Sequence, residues 1–132
     1  MKELSPREFA AGWIAAWNAH DIEAILSHYA DDIEFSSPVA RALTGEGRVC
    51  GLFHLRAYWT RGLSLNRSLH FDLLDVLHGE NVLTLLYTNE RNQPVAETFE
   101  FNGSGRVIRA CACYGEAAGP GTGFGPHSQA KR

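Results

Sequence analysis

Apolar residues near the start of the chain recur at helical spacing, with Phe9, Trp13, Ala16, Trp17 and His20 forming one largely aromatic stripe. Ahead of the stripe, Ser5, Pro6 and Glu8 mark a helix start: a capping hydroxyl, a proline at the first helical position and a carboxylate that reaches back to the cap. Leu4 and Phe9 flank that cap as an apolar staple. Asp21 is placed to cap a second, shorter helix whose buried side holds Ile22, Ile25, Leu26 and Tyr29. "DDIEFSSP" then reads as a short strand with Ile33 and Phe35 on one face, stopped by Pro38. The stretch "VARALTGEGRVCG" reads as a loop leading to a third helix from about Leu52 to Arg61, which Gly62 would end in a left-handed cap.

Beyond this point the period changes to two. "HFDLLDVLH" (70–78), "NVLTLLYTN" (81–89), "VAETFEF" (95–101) and "RVIRACACY" (106–114) predict four strands. The connectors "GE", "ERNQP" and "NGSG" are short and turn-forming, so consecutive strands should pair antiparallel. Helices grouped against an antiparallel sheet make the chain α+β. Residues 1–115 are expected to form one domain, and the Gly/Pro-rich tail 116–132 has no means of building a core.

Strand alternation nominates an interior. Val95, Glu97, Phe99 and Phe101 share one face, and their apolar company turns that face inward. The "ERNQP" connector leaves the register of 81–89 open by one residue; Tyr87 and Asn89 are expected beside Glu97, because a buried carboxylate needs donors, the alternative being an outward polar strand rim. On the last strand, Ile108, Ala110, Ala112 and Tyr114 should face the same space, the two alanines leaving room either for a ligand or for the rings of Trp13 or Trp17. Trp13, Trp17, Phe35, Tyr58, Trp59 and Phe99 supply an aromatic lining, rich in indole and phenol groups with polar tips. A dry carboxylate at Glu97 would hold its proton to higher pH than usual and serve as an acid or base near neutrality. The alternative is a buried acid satisfied by hydrogen bonds and serving only the shape of the core.

Composition narrows the partners. A net charge of −3, with its 12 basic residues scattered, argues against nucleic acid, which needs a concentrated basic footprint. No apolar run approaches the roughly 20 residues of a membrane helix, and "MKELSPREFA" lacks the apolar core of a secretion signal. An odd count of three cysteines points to a reducing compartment, with the cytoplasm as the default. Cys111 and Cys113 alternate onto one outer strand face, about 6.5–7 Å apart, too far for an easy disulfide, and are expected as buried thiols at a dimer face. His70, Asp72 and His78 mimic metal ligands only loosely, so no metal site and no cofactor is expected.

The block "WNAHDIEAILSHYADDIEF", the helix within "GLFHLRAYWTRGL" and the strand "GRVIRACACYG" together resemble the nuclear transport factor 2-like superfamily, in particular its SnoaL-like members. The resemblance implies a strongly curved sheet wrapped around the first helix as a cone, an apolar cavity at its open end and a homodimer through the outer sheet face. Against ketosteroid isomerase, a member of that superfamily, the oxyanion-hole tyrosine falls at Trp13, the base aspartate at Ser37 and the second acid at Glu97. The supporting tyrosines fall at Tyr29 and Trp59. A serine hydroxyl cannot abstract a carbon-bound proton without a base beside it, so the ketosteroid isomerase reading is set aside. Two functions stay open. One is acid–base chemistry by Glu97 and Tyr87 on a small apolar or polycyclic compound held by Trp13, Trp17, Tyr29, Phe35, Ser37, Trp59, Asn89, Phe99, Ala112 and Tyr114. The other is a non-catalytic, homodimeric ligand-binding or protein-interaction module.

Overall fold

In the computed structural model, which describes residues 4–115, four helices lie against one six-stranded sheet. The sheet order is β2-β1-β6-β5-β4-β3, antiparallel throughout except where β1 runs parallel to β6. The fold is α+β, and the sheet does not close into a barrel. No helix among the described residues is long and apolar enough to cross a membrane. The expected tail lies outside the described residues.

Helix α1 (Pro6–Asn18) begins as the sequence predicts. The Ser5 hydroxyl accepts from the Glu8 N–H at 3.1 Å, and the Glu8 carboxylate accepts from the Ser5 N–H at 2.9 Å. The helix buries Phe9, Ala10, Trp13, Ala16 and Trp17 against the sheet. Its far end is pinned by Asn18, whose amide donates to the Phe71 carbonyl at 2.9 Å and accepts from the Phe71 N–H at 2.7 Å. Helix α2 (Ile22–Leu26) starts at Asp21, whose carboxylate accepts from the Ala24 N–H, and strand β1 (Tyr29–Ser36) follows.

The segment read as a loop is structured. Ser37 caps helix α3 (Pro38–Thr44), Pro38 takes the first helical position, and Gly45 at φ 87° ends the helix in the left-handed region. Strand β2 (Arg48–Cys50) then pairs with the end of β1. Pro38 therefore stops a strand by starting a helix. A second correction concerns helix α4 (Leu52–Leu65), which runs through Gly62 and ends at Asn66. Gly62 is buried inside the helix, and Leu63 packs on the core. Tertiary burial there outweighs the roughly 1 kcal/mol that glycine costs a helix.

Strands β3 (Asp72–Gly79), β4 (Val82–Thr88), β5 (Pro94–Phe101) and β6 (Val107–Tyr114) form the expected meander. One bulge changes the interior. Phe101 pairs with Val107 while Glu100 pairs with Arg109, so Ile108 is the extra residue. Val107 is completely buried and Ile108 only partly, the reverse of strict alternation. On the single chain Cys111 is half-buried, while Cys113 and Cys50 are exposed. His70 Nε2 lies 3.2 Å from an Asp72 carboxylate oxygen on the surface.

Candidate functional site

Glu97 occupies the middle of β5, directly opposite Leu85 of β4 and Ala112 of β6. All three side chains project to the inner face and are at most 5% exposed. Two residues further along β4 on the same face stands Tyr87, 3% exposed, whose hydroxyl donates to Glu97 Oε1 at 3.1 Å. No hydrogen bond among the described residues reaches the second oxygen, Oε2. Burial raises the Glu97 carboxyl from 4.5 to about 7, and the hydrogen bond from Tyr87 opposes part of that rise. The group therefore sits near the midpoint of its titration at neutral pH, where a side chain can take up or release a proton with little bias.

The chain has four tyrosines, and all of them feel this carboxylate. Burial is the first cause that raises each phenol, and the negative charge of Glu97 is the second, at Tyr29, Tyr58, Tyr87 and Tyr114 alike. The phenols stay protonated and act as fixed hydroxyl groups around one titrating acid. Tyr58 reaches this cluster from helix α4, whereas the other three tyrosines stand on strands.

The aromatic residues nominated from the sequence come together. Trp13 Nε1 donates to the Tyr29 hydroxyl at 2.9 Å, and the Trp13 ring stacks on Phe71 and meets Phe99 edge-on. Trp59 packs edge-on against Trp17 at 5.0 Å, Tyr29 at 5.3 Å and Phe35 at 5.3 Å. The Trp17 Nε1 proton is buried with no hydrogen-bond partner among the described residues. Phe71, which the sequence reading passed over, lies 4.3 Å from Tyr87 between ring centroids and closes the wall beside it. Its only sequence signal was a phenylalanine at the start of a strand pattern.

Two nominated residues do different work. Asn89 is buried, but its carbonyl oxygen accepts from the N–H groups of Arg91 and Gln93, and its amide donates to the Gln93 side chain. It shapes the β4–β5 turn instead of donating to Glu97, because a tight connector needs its own acceptors. Ser37, at the position of the missing base, accepts from the Val39 N–H at 3.0 Å as the cap of α3 and hydrogen-bonds the Tyr114 phenol. It stands at the edge of the cluster with no carboxylate or imidazole shown beside it.

Residues 10–119 match the SnoaL-like domain family. The chain belongs to that family. A SnoaL-like protein of unknown function from Burkholderia thailandensis E264 is 39% identical and superposes with a TM-score of 0.81, over 83% of this chain and 93% of its own. TerC, crystallised with polyporic acid, shares 17% identity at a TM-score of 0.71, covering 86% of this chain and 95% of its own. A Catenulispora acidiphila protein with a ketosteroid isomerase-like fold, in complex with trimethylamine, shares 15% at a TM-score of 0.68 over 83% and 87% of the two chains. The last two likenesses show the fold alone, which is the nuclear transport factor 2-like cone of this SnoaL-like domain. No curated protein matches the chain.

Proposed function

We propose that this SnoaL-like domain binds a small, flat, largely apolar molecule in its aromatic interior and transforms it by acid–base chemistry at Glu97. The observation that carries the reading is a buried carboxyl, held near its titration midpoint, ringed by every phenol the chain possesses. Tyr87 fixes Oε1, which leaves Oε2 to exchange a proton with the substrate. Isomerisation, cyclisation, dehydration and epoxide opening all need one such shuttle and an environment that excludes bulk water, and none requires a cofactor here. TerC, of the same fold, was crystallised with an organic acid, which is consistent with a cone that accepts such compounds.

A second reading, a non-catalytic homodimeric binding or interaction module, draws on a different observation. Trp13, Trp17, Trp59 and Phe71 pack tightly on one another, and Glu97 is only 4% exposed. The outer sheet face meanwhile presents Leu77, 49% exposed, in line with Thr84, Thr98 and Cys111, which suits self-association through that face.

A thermal-shift screen of polycyclic and terpenoid compounds, run on wild type and Glu97→Gln, separates the two. Acid–base chemistry on a bound compound predicts hits whose midpoint shift in wild type changes between pH 6 and pH 8 and becomes pH-independent in the variant. Hits that shift both proteins equally at every pH would leave Glu97 a structural acid and the module reading in place.

A further inference from the structure

A recess of about 760 Å³, which Glu97 does not line, opens where the start of α1 meets the β3–β4 and β5–β6 turns. That volume is in the range of small-molecule sites. Its apolar surface includes Phe9, Val82 and Phe101, with Leu4, Pro6 and Leu83 beside them, and the two phenylalanine rings meet edge-on at 5.3 Å. Its ionisable groups are Arg106, His28 and His78, and no aspartate or glutamate lines it among the described residues. Among the described lining residues the one permanent charge is the Arg106 guanidinium.

The cationic side is held in place. Arg106 Nη1 donates to the Ser27 carbonyl at 2.9 Å, and no carboxylate among the described residues lies within ion-pair distance of the guanidinium. The His28 ring packs edge-on against Phe9 at 4.9 Å. Burial, and then the charge of Arg106, keep His28 below its ordinary pKa, so at neutral pH it is a neutral hydrogen-bonding group beside a permanent cation. The turn carrying Arg106 is rigid as well: the Asn102 side chain accepts from the N–H groups of Ser104 and Arg106 at 2.9 and 3.0 Å.

We propose that this recess is a second binding site, for small amphipathic carboxylates. The apolar chain or ring of the ligand lies along Phe9, Val82 and Phe101, and its carboxylate meets the Arg106 guanidinium with His28 beside it. A guanidinium suits a carboxylate because its N–H groups match the two oxygens in one plane. The site is independent of the chemistry proposed at Glu97, whose side chain does not line it.

Octanoate is the probe, with octan-1-ol as its uncharged counterpart, titrated into the full chain while backbone amide resonances are followed by NMR. Saturable shifts are expected at Asn81, Gly103, Ser104 and Arg106, with octan-1-ol binding several-fold more weakly. Gly103 offers a clean control, because a Cβ added there meets no atom within 4 Å. Gly103→Asp should weaken octanoate about tenfold by placing a like charge at the rim, and Gly103→Lys should tighten it. Glu97→Gln should leave this titration unchanged, which distinguishes it from any failure of the interior reading. Octan-1-ol binding as tightly as octanoate, Gly103→Asp binding it as well as wild type does, or an absence of saturation at those amides would each overturn the proposal.

Discussion

Glu97 and Glu100 are the same residue type on the same strand, and they live in different chemical worlds. Glu97 faces inward between Leu85 and Ala112, is 4% exposed, and among the described residues takes its one side-chain hydrogen bond from a phenol. Glu100 faces outward between Val82 and Arg109, and accepts from Arg109 Nε at 3.1 Å with about half of its side chain in water. Arg109 also lies 3.6 Å from Glu34, so the outer acids share a cation that the inner acid lacks. Desolvation without a counter-charge lifts the inner carboxyl to about 7. What separates a desolvated acid from a solvated ion pair is strand parity: one step of register exchanges the two faces.

The most severe way to break this contrast is to add a second inner acid. Ala112, 5% exposed and directly opposite Glu97, becomes in Ala112→Glu a second carboxyl in a space already costly for one. Chemical denaturation should show a loss of at least about 3 kcal/mol, with Glu97 titrating higher still. The same residue introduced at exposed Cys113, the next position on β6, should change stability by no more than about 0.5 kcal/mol. Equal costs at the two positions would erase the distinction between the faces.

A subtler comparison uses pH. The folded-state pKa of Glu97, about 7, lies above its unfolded value of 4.5, so the native state binds more protons between those limits. Stability should therefore be highest below about pH 4.5 as far as this group is concerned, fall as pH rises through 7, and flatten beyond it. The total amounts to about 2–4 kcal/mol. Glu97→Gln should lose that slope, so its advantage over wild type grows from pH 5 to pH 8; parallel curves would mean that the carboxyl is not desolvated. Tyr87→Phe should act in the other direction, removing the donor that favours the charged form. Glu97 would then titrate higher, and denaturation at pH 8 should show a loss of about 1 kcal/mol. Smallest of all, Glu100→Gln should leave the thermal midpoint within the scatter of repeated scans, because exposed ion pairs are screened by water and salt.

Two serine–proline pairs show where the sequence was legible. Ser5–Pro6 announces α1, and the reciprocal bond with Glu8 makes the signal complete within a few residues. Ser37–Pro38 starts α3 by the same chemistry, but it follows a strand directly and has no carboxylate at the third helical position. The proline was therefore read as a stop, and α3 and β2 were missed together. Gly62 misled in the opposite sense, since nothing local records that helix α4 is held by packing beyond it. At the site, a carboxylate's need for donors favoured Tyr87 on the inner face and alternation placed Glu97, Phe99 and Ala112 there, and all four are buried. Alternation also placed Ile108 inward, because a bulge leaves no mark in a run of apolar residues. Asn89 was assigned to the carboxylate when its hydrogen bonds belong to its own turn.

Periodicity, caps and turn residues act over a few bonds, so the chain alone specified its α+β order, the start of its first helix and the face on which Glu97 would stand. Which groups surround that carboxyl was settled only by folding. The four phenols come from α4 and three different strands, and their burial together with Glu97 is a property of the assembled interior. A titration point depends on how much water is removed and which dipoles remain. Those are set by residues distant in sequence, so the raised titration of Glu97 exists only once the sheet has wrapped around the first helix.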